Sequence, residues 1–179
     1  MVKISEVKVG QEFVDVVKNI TRAQITNYGN ASGDRNPIHM DEKFATEVAG
    51  LKGVIAHGLL WMGFVGKFLT QLADKGKVIK WGGQFRGQVR PGDDVETKVK
   101  VTKIEGNKMT VEINQFSFTP IKIEKNGKVV KKFEAEEKGW VDEKDVTEGN
   151  IKTKQVPEGT LTYRYRLSFP GTAILELAK

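Results

Sequence analysis

The run Gly33-Asp34-Arg35-Asn36-Pro37-Ile38-His39 sets a carboxylate and an imidazole five residues apart around a proline. Pro37 fixes its own φ and pushes Asn36 away from helical geometry, so the run reads as a rigid turn with polar groups on both sides of Pro37-Ile38. Such a pair can hold one water between its two members. A group pair of this kind can move one proton on or off that water and another on or off a reacting carbon. Histidine suits this work because its reference pKa lies near neutrality. Taken alone, Asp34 would be a turn cap and His39 a satisfied polar residue. The whole run, followed by a second histidine, His57, at the head of an apolar segment, points to catalysis. His57 itself is read as an orienting or packed histidine, and Asn36 as holding the turn or the water.

The elements that must position these groups are legible on either side. Phe13 to Val17 reads as a first strand. Thr21 opens a helix, with Gln24 at capping-box spacing. Ile25 and Tyr28 give that helix an inward face, and Gly29 and Gly33 are expected to break it. A short helix is expected from Asp41 through Ala49. From His57 to Ala73 apolar residues cover more than one helical face, the mark of a helix buried inside its domain. Trp81, Phe85 and Val89 suit a twisted or bulged strand ending at Pro91-Gly92. Val95 to Val101 and Met109 to Ile113 alternate as strands. A further strand near Ile121 meets Asn126-Gly127, a strong hairpin signal, and its return is expected over Val129 to about Val141. Asp142 to Gln155 reads as a polar linker, and Leu161 to Phe169 as a late strand. The sum is an α+β chain with one antiparallel sheet wrapped around one central buried helix, the hot-dog arrangement.

Composition narrows the functional classes. The chain has 179 residues, 39% hydrophobic and 29% charged, which suits one globular domain with a real core. A net charge of +6 suits an anionic partner such as a phosphate-bearing carrier. The basic residues are scattered rather than clustered with aromatics, which argues against nucleic acid; Arg86 and Arg90 are read as solvated. Without cysteine there is no disulfide, thiol nucleophile or Cys-bound zinc, and two histidines make a His-rich metal site improbable. The N-terminus lacks the apolar core of a signal peptide, and the apolar stretch from Gly53 to Gly66 falls short of the ~18 residues of a membrane span. A cytoplasmic protein is expected, with no membrane partner.

The run Gly33 to His39 resembles the Gly-Asp-x-Asn-Pro-x-His signature of the MaoC-like, R-specific enoyl-CoA hydratases and dehydratases. Tyr28 to Ser32 resembles the helix leading into that motif, Val54-Ile55-Ala56-His57-Gly58 the entry to the central helix, and Gln84 to Asp93 an arginine-containing strand with a Pro-Gly-Asp turn. The resemblance covers roughly residues 5 to 141. It implies Asp34 and His39 as the catalytic pair that binds and activates water. It also implies that the Gly58 N–H serves as an oxyanion donor to the thioester carbonyl, with Asn36 and His57 beside the substrate. The implied product is an (R)-3-hydroxyacyl thioester on coenzyme A or acyl carrier protein, formed without metal or other cofactor by a homodimer or higher homo-oligomer, or in a hetero-oligomer. The alternatives are a hot-dog acyl-CoA thioesterase and a non-catalytic subunit of a hetero-oligomeric dehydratase. Residues 1–145 are expected to form the hot-dog domain, and residues 146–179 a C-terminal extension packed on it or on a partner.

Overall fold

The computed structural model describes residues 4–178. Strand β1 (Glu12–Val17) is followed by helix α1 (Arg22–Ser32), the single turn α2 (Pro37–Met40) and a π-helical turn at Phe44–Val48. Helix α3 (Gly58–Ala73) leads to β2 (Lys77–Gly83), β3 (Asp94–Glu105), β4 (Lys108–Lys125) and β5 (Lys128–Lys132). Short helices α4 (Glu134–Glu137) and α5 (Glu143–Thr147) precede β6 (Ile151–Val156) and β7 (Gly159–Glu176).

The strands form one antiparallel sheet in the order β1-β3-β4-β7-β2, with β5 flanking β4 and β6 flanking β7. Strict alternation drives it. In β4 the odd-numbered residues from Met109 to Ile123 are buried and the even-numbered ones are not, so one face packs inward, apolar from Met109 to Ile113 and polar at Gln115, Ser117 and Thr119, and the other faces outward. Val95, Val99, Val101, Met109, Val111, Ile113, Phe169, Ala173 and Leu175 line the inner face. Trp61, Val65, Phe68, Leu69 and Leu72 of α3 join them in one core. The buried Gln115 side chain donates from Nε2 to the Trp61 carbonyl and to Thr97 Oγ1, pinning the helix to the sheet. This is the hot-dog arrangement, with the sheet around α3. The sheet covers only one side of the helix, however. Leu59 is 61% exposed and Leu60, Met62 and Phe64 are only half-buried.

The C-terminal third departs from the sequence reading. Residues 146–179 are not an extension laid on a finished domain. They supply β7, which lies between β4 and β2 and gives β2 its sheet pairing. The division at 145/146 therefore cuts through the sheet. What is added is the stretch between β4 and β7. The return strand stops at Lys132 instead of continuing to Val141. The expected linker contains α5, with a capping box between Asp142 and Asp145, and most of β6. Ala135 and Trp140 of this insert pack with Ile121 of β4 in a small second core. No helix among the described residues is long and apolar enough to cross a membrane.

Candidate active site

Three chain segments meet at Asp34, His39 and His57. Helix α1 starts as expected, with Thr21 and Gln24 forming the capping box. It runs through Gly29 and ends at Gly33, whose φ of 79° is the left-handed cap conformation that glycine adopts without cost. The turn that follows is built from its own side chains. The Asp34 carboxylate accepts from the Asn36 N–H at 3.2 Å, and Asn36 Oδ1 accepts from the Ile38 N–H at 3.2 Å. Asn36 is thus the N-cap of α2, with Pro37 at the first helical position, where its missing N–H costs nothing. Both side-chain bonds are local, which is why the motif is rigid.

His39 projects from α2 and is buried. Its Nδ1 donates to the Ile55 carbonyl at 2.8 Å, which fixes the tautomer and leaves Nε2 as a free acceptor. His57 donates from Nε2 to the Asp34 backbone carbonyl at 2.8 Å, tying the start of α3 to the turn. The two imidazoles lie with centroids 3.9 Å apart and ring planes tilted by 31°, and the Tyr28 ring packs against His57 at 5.0 Å. One polar atom from each of Asp34, His39 and His57 lies within 4.8 Å of the others. A carboxylate with two histidines is also a metal-binding set.

Burial is the main influence on His39 and holds its pKa below the usual histidine value; nearby His57 acts the same way, while the Ile55 carbonyl and Asp34 oppose it in part. His39 is therefore neutral at pH 7. If it accepts a proton in the reaction, the acid limb of kcat/KM should fall below about pH 6.5, the ordinary histidine value. A pH–rate profile with its acid midpoint above that would contradict the assignment. The same depressed value makes folding stability fall with acid, because the unfolded chain takes the proton first.

Gly58 is the first residue of the sixteen-residue α3, so its N–H has no partner within the helix and sits at the positive end of the dipole. The Phe85 ring lies over it, within 3.2 Å of where a Cβ would stand. Phe85 is half exposed and contacts Trp61 and Phe169, giving an apolar wall beside the helix start.

Gly29 is a site residue the sequence reading missed. A Cβ there would meet Met40 Sδ at 2.9 Å, the Asp34 carbonyl oxygen at 3.1 Å and His57 Cε1 at 3.3 Å. Glycine lets α1 approach both groups of the His57–Asp34 bond. Gly29→Ala should cost little stability, since the flexible Met40 can yield and alanine gains about 0.8–1 kcal/mol of helix propensity. It should lower kcat about tenfold by displacing the turn, since misplacement of about 1 Å can cost 10²-fold. Wild-type kcat in a folded variant would contradict this.

The fold is that of a hot-dog protein, with Asp34, His39 and His57 gathered at the head of its central helix. The MaoC-like domain model matches residues 5–119, and the chain belongs to that family. It is 40% identical over 90 residues to a 3-hydroxybutyryl-CoA dehydratase of Methylorubrum extorquens, covering 49% of this chain and 56% of that protein. It is 33% identical over 108 residues to an (R)-specific enoyl-CoA hydratase of Rhodospirillum rubrum, covering 59% of this chain and 74% of that one. The solved (R)-hydratase of A. caviae shares the fold with a TM-score of 0.60 at 20% identity, covering 96% of this chain and 98% of that one. The matched family segment ends within β4, before the insert and β7.

Proposed function

We propose that the protein catalyses the reversible hydration of trans-2-enoyl thioesters to (R)-3-hydroxyacyl thioesters, carried on coenzyme A or acyl carrier protein. The carrying observation is the approach of the Asp34 carboxylate and the His39 ring beside the free N-terminus of α3. In this reading, Asp34 and His39 hold one water, its oxygen adds to C3, and a proton is delivered to C2. Neither proton is assigned to one residue of the pair. The Gly58 N–H donates to the thioester carbonyl and stabilises the enolate-like charge as an oxyanion hole does. His57 holds the Asp34 turn and Asn36 caps α2. The chemistry calls for no metal or redox cofactor. The (R) configuration follows the hydratases that the chain is similar to.

A second copy of the chain is the proposed partner. The sheet-edge position of β2 and the exposed Leu59 and Phe85 support this reading.

The test is product analysis. Purified protein with crotonyl-CoA in deuterated water should give (R)-3-hydroxybutyryl-CoA carrying one deuterium at C2, with no thiol released. Free coenzyme A as the product would instead make the protein a thioesterase. An unchanged substrate that is turned over only after another chain is added would make it a supporting subunit.

A further inference from the structure

We propose that the groove between the Gly50–Lys52 loop, the Arg86–Arg90 segment and β7 binds the phosphate of the substrate's carrier; this rests on the thioester reading above. The groove has a volume of about 460 Å³. Its lining includes Lys52, Arg86, Arg90, Arg164 and Arg166 against a single acid, Asp142.

Two features place it beside the site. The Ala56 N–H donates to the Val89 carbonyl at 2.7 Å, pairing the 85–90 segment with the residues that enter α3. The segment itself begins at Phe85, which covers Gly58. Along it the side chains alternate. Val89 is buried in the core, and Gly87 presses against Ser168, where a Cβ would stand 2.8 Å from Oγ. Arg86, Gln88 and Arg90 line the groove on the other side.

The charges in the groove are poorly balanced from within the chain. Asp145 pairs with Arg164 and Arg166, at 3.3 and 3.6 Å. Lys52, Arg86 and Arg90 form no ion pair among the described residues. The Arg86 side chain donates to Gln84, and the guanidinium of the buried Arg90 donates to neutral oxygens of Gly53 and Gln88, while the Arg90 backbone N–H donates to the Asp93 carboxylate. Burial first, and the neighbouring Arg164 next, work against the charge on Arg90, and Asp93 and Glu42 oppose them only in part, so its pKa stays below the usual arginine value. A phosphate in the groove would offset that repulsion through charge-assisted, bidentate bonds. Arg90 is thus not the solvated residue its sequence suggested. The insert completes the lining through Trp140 and Asp142.

The test uses two exposed cations that take part in no ion pair, Arg86→Gln and Lys52→Gln. Crotonyl-CoA is compared with crotonyl-N-acetylcysteamine, which has no phosphate. The ratio of their kcat/KM values should fall about tenfold or more in each variant, through KM for crotonyl-CoA rather than kcat. Calorimetric binding of coenzyme A alone should weaken by a similar factor. If only a crotonyl-loaded acyl carrier protein loses kcat/KM, the phosphate read is the carrier protein's phosphodiester. An unchanged ratio with unchanged coenzyme A binding and unchanged carrier-protein kinetics overturns the proposal and leaves the hydratase reading standing. Coenzyme A binding that depends on Arg86 and Lys52, in a protein that hydrates neither thioester, removes the hydratase reading alone.

Discussion

Replacing His39 with alanine should lower kcat for enoyl hydration by about 10²–10⁴-fold, the range a positioned general acid or base contributes. The site geometry says why the loss should be large. His39 Nδ1 is committed to the Ile55 carbonyl, so Nε2 is the nitrogen left to hold water, and burial keeps it neutral and able to accept a proton. Asp34→Asn should fall into the same range, because the amide keeps an oxygen for the Asn36 N–H but cannot take a proton from water. The double variant should be little worse than either single one, since the two groups act on one water. The alanine variant leaves the Ile55 carbonyl without its partner, a cost of about 1–3 kcal/mol, so rates must be compared well below its unfolding temperature. Single-variant losses that multiply in the double would contradict shared action on one water.

Replacing Asp145 with alanine should destabilise the protein by about 3–5 kcal/mol, as expected when one partner of a buried ion pair is removed. Asp145 is fully buried. It receives Arg164 Nη1 at 3.3 Å and lies 3.6 Å from Arg166 Nη1, while its backbone and side chain close the capping box of α5. Arg164 also donates to the Trp140 carbonyl and to Thr119 Oγ1. One carboxylate therefore joins the insert to two arginines of β7. Without it, Arg164 is a buried cation with only neutral partners. Urea unfolding should show the loss as a lower midpoint. The double variant Asp145→Leu with Arg164→Leu should recover much of it, because paired apolar replacements avoid the stranded charge. A single-variant loss under about 1 kcal/mol would mean that solvent reaches Arg164 after all.

Much of the site could be read from the chain because it is local. The capping box at Thr21, the Asx turn at Asp34, the N-cap at Asn36 and Pro37 all act within a few residues, so sequence spacing carries them. The alternation in β3 and β4 was visible for the same reason. What escaped depends on long-range approach. Gly29 looked like a helix breaker. Its role is set by Met40, Asp34 and His57, which pack against it only in the folded chain. Arg90 looked solvated because nothing nearby in sequence announces Gly53 or Arg164 as neighbours. The place of β7 was misread because the strand reaches the centre of the sheet only after the insert. A pattern of alternating residues does not say which strand it joins. The central helix was legible from its apolar residues, but which of its faces the sheet covers is set by long-range packing.

The most direct test of the central claim is the loss of enoyl-thioester absorbance when purified wild-type protein is added to crotonyl-CoA. The account predicts rapid decay to an equilibrium with the hydroxyacyl thioester, reached from either side. Decay should slow by orders of magnitude in folded Asp34→Asn and His39→Ala. An absorbance unchanged by wild-type protein on short and longer enoyl thioesters, whether carried by coenzyme A or by acyl carrier protein, would contradict it. So would decay that proceeds at full rate in both variants.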